Sequence, residues 1–231
     1  MQKLAIFGDS YARKDGTDIS EKSWHEFIET YAVTNYGEPG TDLWFSYSLF
    51  LKHHQNFEKI IFIVTAPHRI TLSSEKCKIY PNQNYTTASI KLESATGVEH
   101  EQYKALVDYY ELIHNKDKEE YVYSILVDNI NKIRPDAVVY PCFDNTWSTD
   151  IPLYDITKYE DGFLGITDQI RNNYYRKGLR DSRACHMTEA NNRIVADLFV
   201  AKLSGLNKIL TLDHLVKPAN NVDYYYQSKW H

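Results

Sequence analysis

The residues of this chain best suited to chemistry begin close to its first position. The apolar run Leu4-Ala5-Ile6-Phe7 stops at Gly8-Asp9-Ser10. A serine in the turn after a first strand stands at the carboxyl edge of an α/β sheet, where such folds keep their sites. Its hydroxyl attacks a carbonyl only when a base takes its proton. The candidate base is His186, in Cys185-His186-Met187-Thr188 at the start of a late helical pattern. Between these two lies Asn35-Tyr36-Gly37-Glu38-Pro39-Gly40, after a second apolar run and before a helix. The backbone N–H groups of Ser10 and Gly40 are candidate donors to an oxyanion, and Gly40 equally suits an ordinary turn. Two side-chain donors, His68 and Arg69, follow a third apolar run in Thr65-Ala66-Pro67-His68-Arg69. The arginine fork there either meets a carboxylate at the mouth of the loop or holds a carboxylate, sulfate or phosphate of a substrate. Asp9 is expected to tie its own loop through side-chain bonds to the backbone.

Elements must position these residues, and the pattern supplies them. Short apolar runs alternate with helical spacing, which predicts a parallel sheet with helices on both faces. Strands are expected over residues 4–7, 32–35, 59–64 and 136–140. The run at 59–64, apolar and β-branched, reads as the central one. Ser23 and Glu26 form a capping-box pair that opens a helix. Leu43, Trp44, Tyr47, Phe50 and Leu51 recur at helical spacing within 41–54. Further helices are expected over 99–114, 118–133, 166–177 and 188–203. Residues 68–98, polar and rich in Ser, Thr, Asn and Lys, read as an insertion crossing the surface. Residues 142–162 read as a long aromatic loop walling a pocket. The tail at 205–231 carries no assignable element, and the chain is read as one domain spanning 1–231.

Composition narrows the function. Among 231 residues the formal charge is -5, which argues against a nucleic-acid partner. Cys77, Cys142 and Cys185 form neither a disulfide framework nor a CxxC metal spacing. His25, His53, His54, His100 and His114 lack ligand spacing, so neither metal nor cofactor is expected. No apolar run nears the roughly 18 residues of a membrane span, and Met1-Gln2-Lys3 leads straight into a strand. The expectation is a cytoplasmic or otherwise soluble protein with no signal peptide. No Gly-rich phosphate loop supports nucleotide binding. The cluster Arg171, Arg176, Lys177, Arg180 and Arg183 is either a solvated face or a means of steering an anionic substrate. Nineteen tyrosines offer apolar rings with polar tips, suited to sugar stacking, to protein interfaces or to a half-buried surface.

The order of blocks resembles the GDSL or SGNH hydrolases: Gly8-Asp9-Ser10 after the first strand, a glycine after the second, and a late histidine before the last helix. The resemblance runs from Leu4 to about Leu203. It implies a flavodoxin-like three-layer α/β/α fold with a parallel sheet of four or five strands, and ester hydrolysis through a serine acyl-enzyme. By that resemblance Ser10 is the nucleophile, the Ser10 and Gly40 N–H groups are oxyanion donors, and His186 is the general base. Two blocks depart from the family. Its Gly-x-Asn-Asp block, whose asparagine is the third donor, is missing, and His68 and Arg69 stand at that strand end instead. Its Asp-x-x-His block is also altered, since Arg183 precedes His186 by three residues. The orienting acid is then Asp181, or another such as Asp144, or none at all. The expected substrate is a small-molecule or glycan ester, such as an O-acyl group on a carbohydrate. The alternative is a fold that has lost hydrolysis and serves as a carbohydrate- or protein-binding or structural module. The oligomeric state is left open.

Overall fold

Side chains alternate across a pleated strand, so each apolar run feeds two faces of the sheet. The computed structural model describes residues 1–12, 22–67, 69–71, 82–83, 85–143, 147–156 and 187–216. In it β1 (Lys3–Phe7), β2 (Ala32–Asn35) and β3 (Lys59–Val64) are joined by β6 (Val138–Pro141). A separate antiparallel pair, β4 (Ile70–Thr71) and β5 (Asn82–Gln83), stands between β3 and β6 in the chain. The main sheet has the order β2-β1-β3-β6, and every pairing in it is parallel. This is the flavodoxin-type order, with a topological switch point between β1 and β3. Leu4 and Ile6 join Ile61, Ile63, Val138 and Tyr140 on one face. Ala5 and Phe7 join Ile60, Phe62 and Val64 on the other.

Helices cover both faces. α1 (Leu43–His53) and α4 (Lys116–Ile133) pack on the Phe7 face. α5 (Glu189–Leu203) and a short 3-10 turn, Trp24–Phe27, pack on the Ile6 face. The protein is therefore a three-layer α/β/α structure with four parallel strands in its main sheet. α1 begins later than its apolar spacing predicts because Asp42 caps it, Oδ1 accepting from the Phe45 N–H at 2.8 Å. α4 begins earlier than predicted, with Asn115 Oδ1 accepting from the Lys118 N–H at 2.8 Å and Asp117 and Glu119 complementing the dipole of the first turn. Beyond α4, the Arg134 guanidinium donates to the carbonyls of His54, Phe57 and Glu58 and to the Asp136 carboxylate. That clamp gathers the amino edge of the sheet.

Two expectations need correction. The helix expected from Ser23 is a single 3-10 turn, although Glu26 Oε2 does accept from the Ser23 N–H at 2.9 Å. Tertiary bonds override the local pattern: the Trp24 Nε1–H donates to Tyr11 O at 2.6 Å and the Trp24 N–H to Asn192 Oδ1 at 3.2 Å. The described part of 68–98 is more than a surface excursion. It holds β4, β5 and α2 (Tyr85–Leu92), and buried Ala88 of α2 packs with Tyr103 and Leu106 of α3 (Gly97–Leu112) in a small separate core. The helix expected at 166–177 and the tail beyond Val216 lie outside the described residues. No helix among the described residues is long and apolar enough to cross a membrane.

Candidate active site

β1 ends in glycine for a steric reason. Gly8 has φ +148°, and a Cβ there would lie 2.8 Å from Ile63 Cβ and 3.0 Å from Ile63 O. Only a residue without a side chain lets the backbone cross β3 this closely and turn. The turn closes when the Ala12 N–H donates to Asp9 O at 3.0 Å, leaving Ser10, half-buried, within it. The loop after β2 runs alongside. The Tyr36 N–H donates to Ile6 O at 2.8 Å and the Glu38 N–H to Gly8 O at 3.1 Å. The Asn35 Nδ2–H donates to Ala12 O while Asn35 Oδ1 accepts from the Gly37 N–H at 2.8 Å. Gly40 follows with φ +75°, and its N–H meets no acceptor among the described residues. Ser10 and Gly40 thus stand on adjoining loops at the carboxyl edge. Gly8→Ala should lower stability by roughly 2–4 kcal/mol through strain and overlap. A melting curve should then shift down by about 4–16 °C, and an unchanged Tm would contradict the steric account.

Asp9 is fully buried. Its Oδ1 accepts from the Tyr11 N–H at 3.0 Å, so it does tie its own loop. Its Oδ2 accepts from the Thr65 hydroxyl at 2.8 Å and from Arg69 Nη1 at 2.7 Å. The carboxylate therefore joins the ends of β1 and β3. Of the two roles open to Arg69 in the sequence, the pairing with a carboxylate is the one observed. Its side chain is 16% exposed and its Cζ lies 5.4 Å from the Phe143 ring centroid. The Arg69 Nε and Nη2 donate to no acceptor among the described residues. Cys142, just past β6, sits 3.9 Å from Asp9 Oδ1 through its sulfur. Burial, and secondarily the Asp9 charge, push the Cys142 thiol well above its ordinary pKa. It is a buried neutral group rather than a nucleophile. Sequence reasoning missed the four-residue cluster of Asp9, Thr65, Arg69 and Cys142. The one signal for it was an arginine placed at a strand end.

His186, Asp181, His68 and Asp144 lie outside the described residues. The neighbour of His186, Met187, is buried in the same core as Tyr11 and Ala12. Its carbonyl accepts from the Asn192 Nδ2–H at 3.1 Å, and Asn192 and Trp24 complete a bridge to Tyr11 O. Beside the Ser10 turn, aromatic rings form a wall. Tyr11 meets Phe143 edge-on at 6.0 Å, and Phe143 lies 5.1 Å from Tyr154. Of the 142–162 segment, the described residues Phe143 and Tyr154 lie beside the turn.

The fold and edge together define a flavodoxin-type α/β/α protein with a serine-bearing turn braced by a buried ion pair. No protein-family model matches the chain, and no curated protein matches it. Among solved structures, a lipase/acylhydrolase from Enterococcus faecalis is similar at 14% identity, covering 89% of this chain and 96% of that one, with a TM-score of 0.38. A structure named as a lipolytic protein of the G-D-S-L family, from Desulfitobacterium hafniense DCB-2, is similar at 12% identity, covering 88% and 99%, with a TM-score of 0.36. At such TM-scores the fold assignment stands on the sheet order and register, and the activities in those names belong to those proteins.

Proposed function

We propose that this chain is a serine hydrolase that cleaves an ester through an acyl-enzyme on Ser10. The observation that carries the reading is the placement of Ser10. It lies in the first turn past β1, beside the switch point, on a loop braced by Asp9 and adjoining the loop of Gly40. Ser10 Oγ attacks the acyl carbon while His186 takes its proton and hands it to the departing alkoxide. Water, activated by the same imidazole, then releases the acid and restores the hydroxyl. Asp181 is the proposed acid that orients the imidazole. The Ser10 and Gly40 N–H groups receive the oxyanion, with His68 and Arg69 as side-chain donors.

The ion pair favours one role for Arg69 over another. Asp9 already neutralises the guanidinium at 2.7 Å, so a permanently anionic substrate gains little net attraction there. A carbonyl oxygen that acquires charge only during reaction still meets the remaining N–H groups. This supports a neutral acyl ester. The half-buried rings of Phe143 and Tyr154, packed beside the turn, suit stacking on a sugar face, hence an O-acyl group on a carbohydrate.

The test is covalent labelling by a fluorophosphonate, read by intact mass on the wild type and on Ser10→Ala. A single adduct on the wild type alone supports the hydrolase. No adduct on the folded wild type overturns it and leaves a binding or structural module with an inert serine.

A further inference from the structure

The residues that follow the proposed nucleophile and base are joined by a chain of hydrogen bonds. Tyr11 follows Ser10 and Met187 follows His186, and both are buried in one core cluster. The Trp24 Nε1–H donates to Tyr11 O at 2.6 Å, the Trp24 N–H to Asn192 Oδ1 at 3.2 Å, and the Asn192 Nδ2–H to Met187 O at 3.1 Å. Asp9 Oδ1 holds Tyr11 from its other side, accepting from its N–H at 3.0 Å. Two residues, Trp24 and Asn192, therefore span from one segment to the other.

Both side chains are held in place. Trp24 is 1% exposed, and its ring lies against Phe199 of α5 with centroids 4.5 Å apart. Asn192, 4% exposed, stands near the start of α5, where its N–H donates to Thr188 O at 2.9 Å. An amide side chain presents an acceptor to one neighbour and a donor to the other. Turned over, it would set N–H against N–H and oxygen against oxygen, so one orientation is selected. A buried polar link whose atoms all have partners fixes a single geometry. Consecutive Cα atoms stand about 3.8 Å apart, so fixing Tyr11 and Met187 limits how far the residue before each can stray.

We propose that Asn192, acting through Trp24, is a positioning residue that sets the His186 segment in register with the Ser10 turn. The inference rests on the reading of Ser10 as nucleophile and His186 as base. Asn192 touches no reacting atom. It holds the Met187 carbonyl, and with it the backbone that carries the base, at a fixed offset from the turn that carries the nucleophile. Transfer of the Ser10 proton to an imidazole needs a heavy-atom separation of roughly 2.6–3.2 Å. Two segments that moved independently would not keep it.

The experiment compares the full-length wild type with Asn192→Asp and Trp24→Phe, each made with and without His186→Ala. Asn192→Asp keeps the acceptor for the Trp24 N–H and removes the donor to Met187 O. Trp24→Phe keeps an aromatic ring against Phe199 and removes the donor to Tyr11 O. The control is Lys202→Met, which cuts the 2.9 Å ion pair with Asp150 at the far end of α5. Turnover of p-nitrophenyl acetate is measured well below each melting midpoint, so that the assayed protein is folded. Asn192→Asp and Trp24→Phe should each lose about 10²-fold in kcat, the cost of a misplacement of about 1 Å, with KM unchanged. Lys202→Met should lower Tm and keep its kcat. With His186→Ala there is no base left to position, and neither substitution should lower the rate further. Wild-type kcat in the two folded variants, with Ser10 still labelled by the fluorophosphonate, overturns the positioning role and leaves the hydrolase intact. An equal loss with and without His186 assigns the bridge to folding alone and also overturns it. If Asn192→Asp does not fold, Trp24→Phe decides by the same comparison. A wild type that neither labels nor turns over fails the Ser10 reading, and the positioning role falls with it.

Discussion

Ser10→Ala is expected to abolish fluorophosphonate labelling and to lower kcat toward p-nitrophenyl acetate by on the order of 10⁴ to 10⁶. The effect is large because the variant has no nucleophile from which an acyl-enzyme could form. Any residual rate would come from the proposed donors that remain in place, such as the Gly40 N–H. His186→Ala should lose a comparable factor, since a serine hydroxyl without a base is a poor nucleophile. The double variant should be little worse than either single one, because the two groups act as a unit. Retained turnover in Ser10→Ala, with melting unchanged, would remove Ser10 from the mechanism.

Asp9→Ala should be the most damaging substitution for stability. The carboxylate is fully buried and answers the Tyr11 N–H, the Thr65 hydroxyl and the Arg69 guanidinium at once. Removing one partner of a buried pair typically costs about 3–5 kcal/mol, because the other charge is left uncompensated. Arg69 is 16% exposed and can turn partly toward water, which places the loss near the lower end, about 3 kcal/mol. In a protein of this size that lowers Tm by roughly 6–12 °C. Asp9→Asn keeps an acceptor for the Tyr11 N–H and should lose less. A double-mutant cycle of Asp9→Asn with Arg69→Met should return a coupling of about 1–3 kcal/mol. A coupling of zero would mean that the ion pair contributes nothing to the brace. Asp9→Ala should also slow labelling of Ser10, since the turn that carries the serine loses its anchor.

The strands were readable in the residues themselves. β2 was expected over the same four residues it occupies, and β3 over the same six, because β-branched runs declare a strand; the continuous apolar run of β3 declares its burial as well, whereas β2 stays half-exposed at the sheet edge. Gly8 marked the end of β1, where a tight turn must follow. Helix starts were less legible. α1 and α4 were each displaced by a side-chain cap, Asp42 or Asn115, and capping depends on one dihedral geometry rather than on a repeating pattern. The turn at Trp24 failed as a helix because two bonds, to Tyr11 and Asn192, reach across the fold. Nothing within a short window of sequence records them.

The same division runs through the candidate site. That Ser10 and Gly40 stand in turns after β1 and β2 was legible from the sequence, since strand ends follow the local period of 2 and the glycines that stop them. The partner of Arg69 was not determined in this way. Either a substrate or a carboxylate of the protein was chemically acceptable, and the two residues of the pair are 60 positions apart. Only the parallel pairing of β1 with β3 brings Asp9 beneath Arg69. The sequence by itself determined which segments become strands, where the chain must turn, and which side chains carry chemistry. The tertiary structure decided which of those side chains meet, because burial and sheet order select long-range partners and local propensity does not.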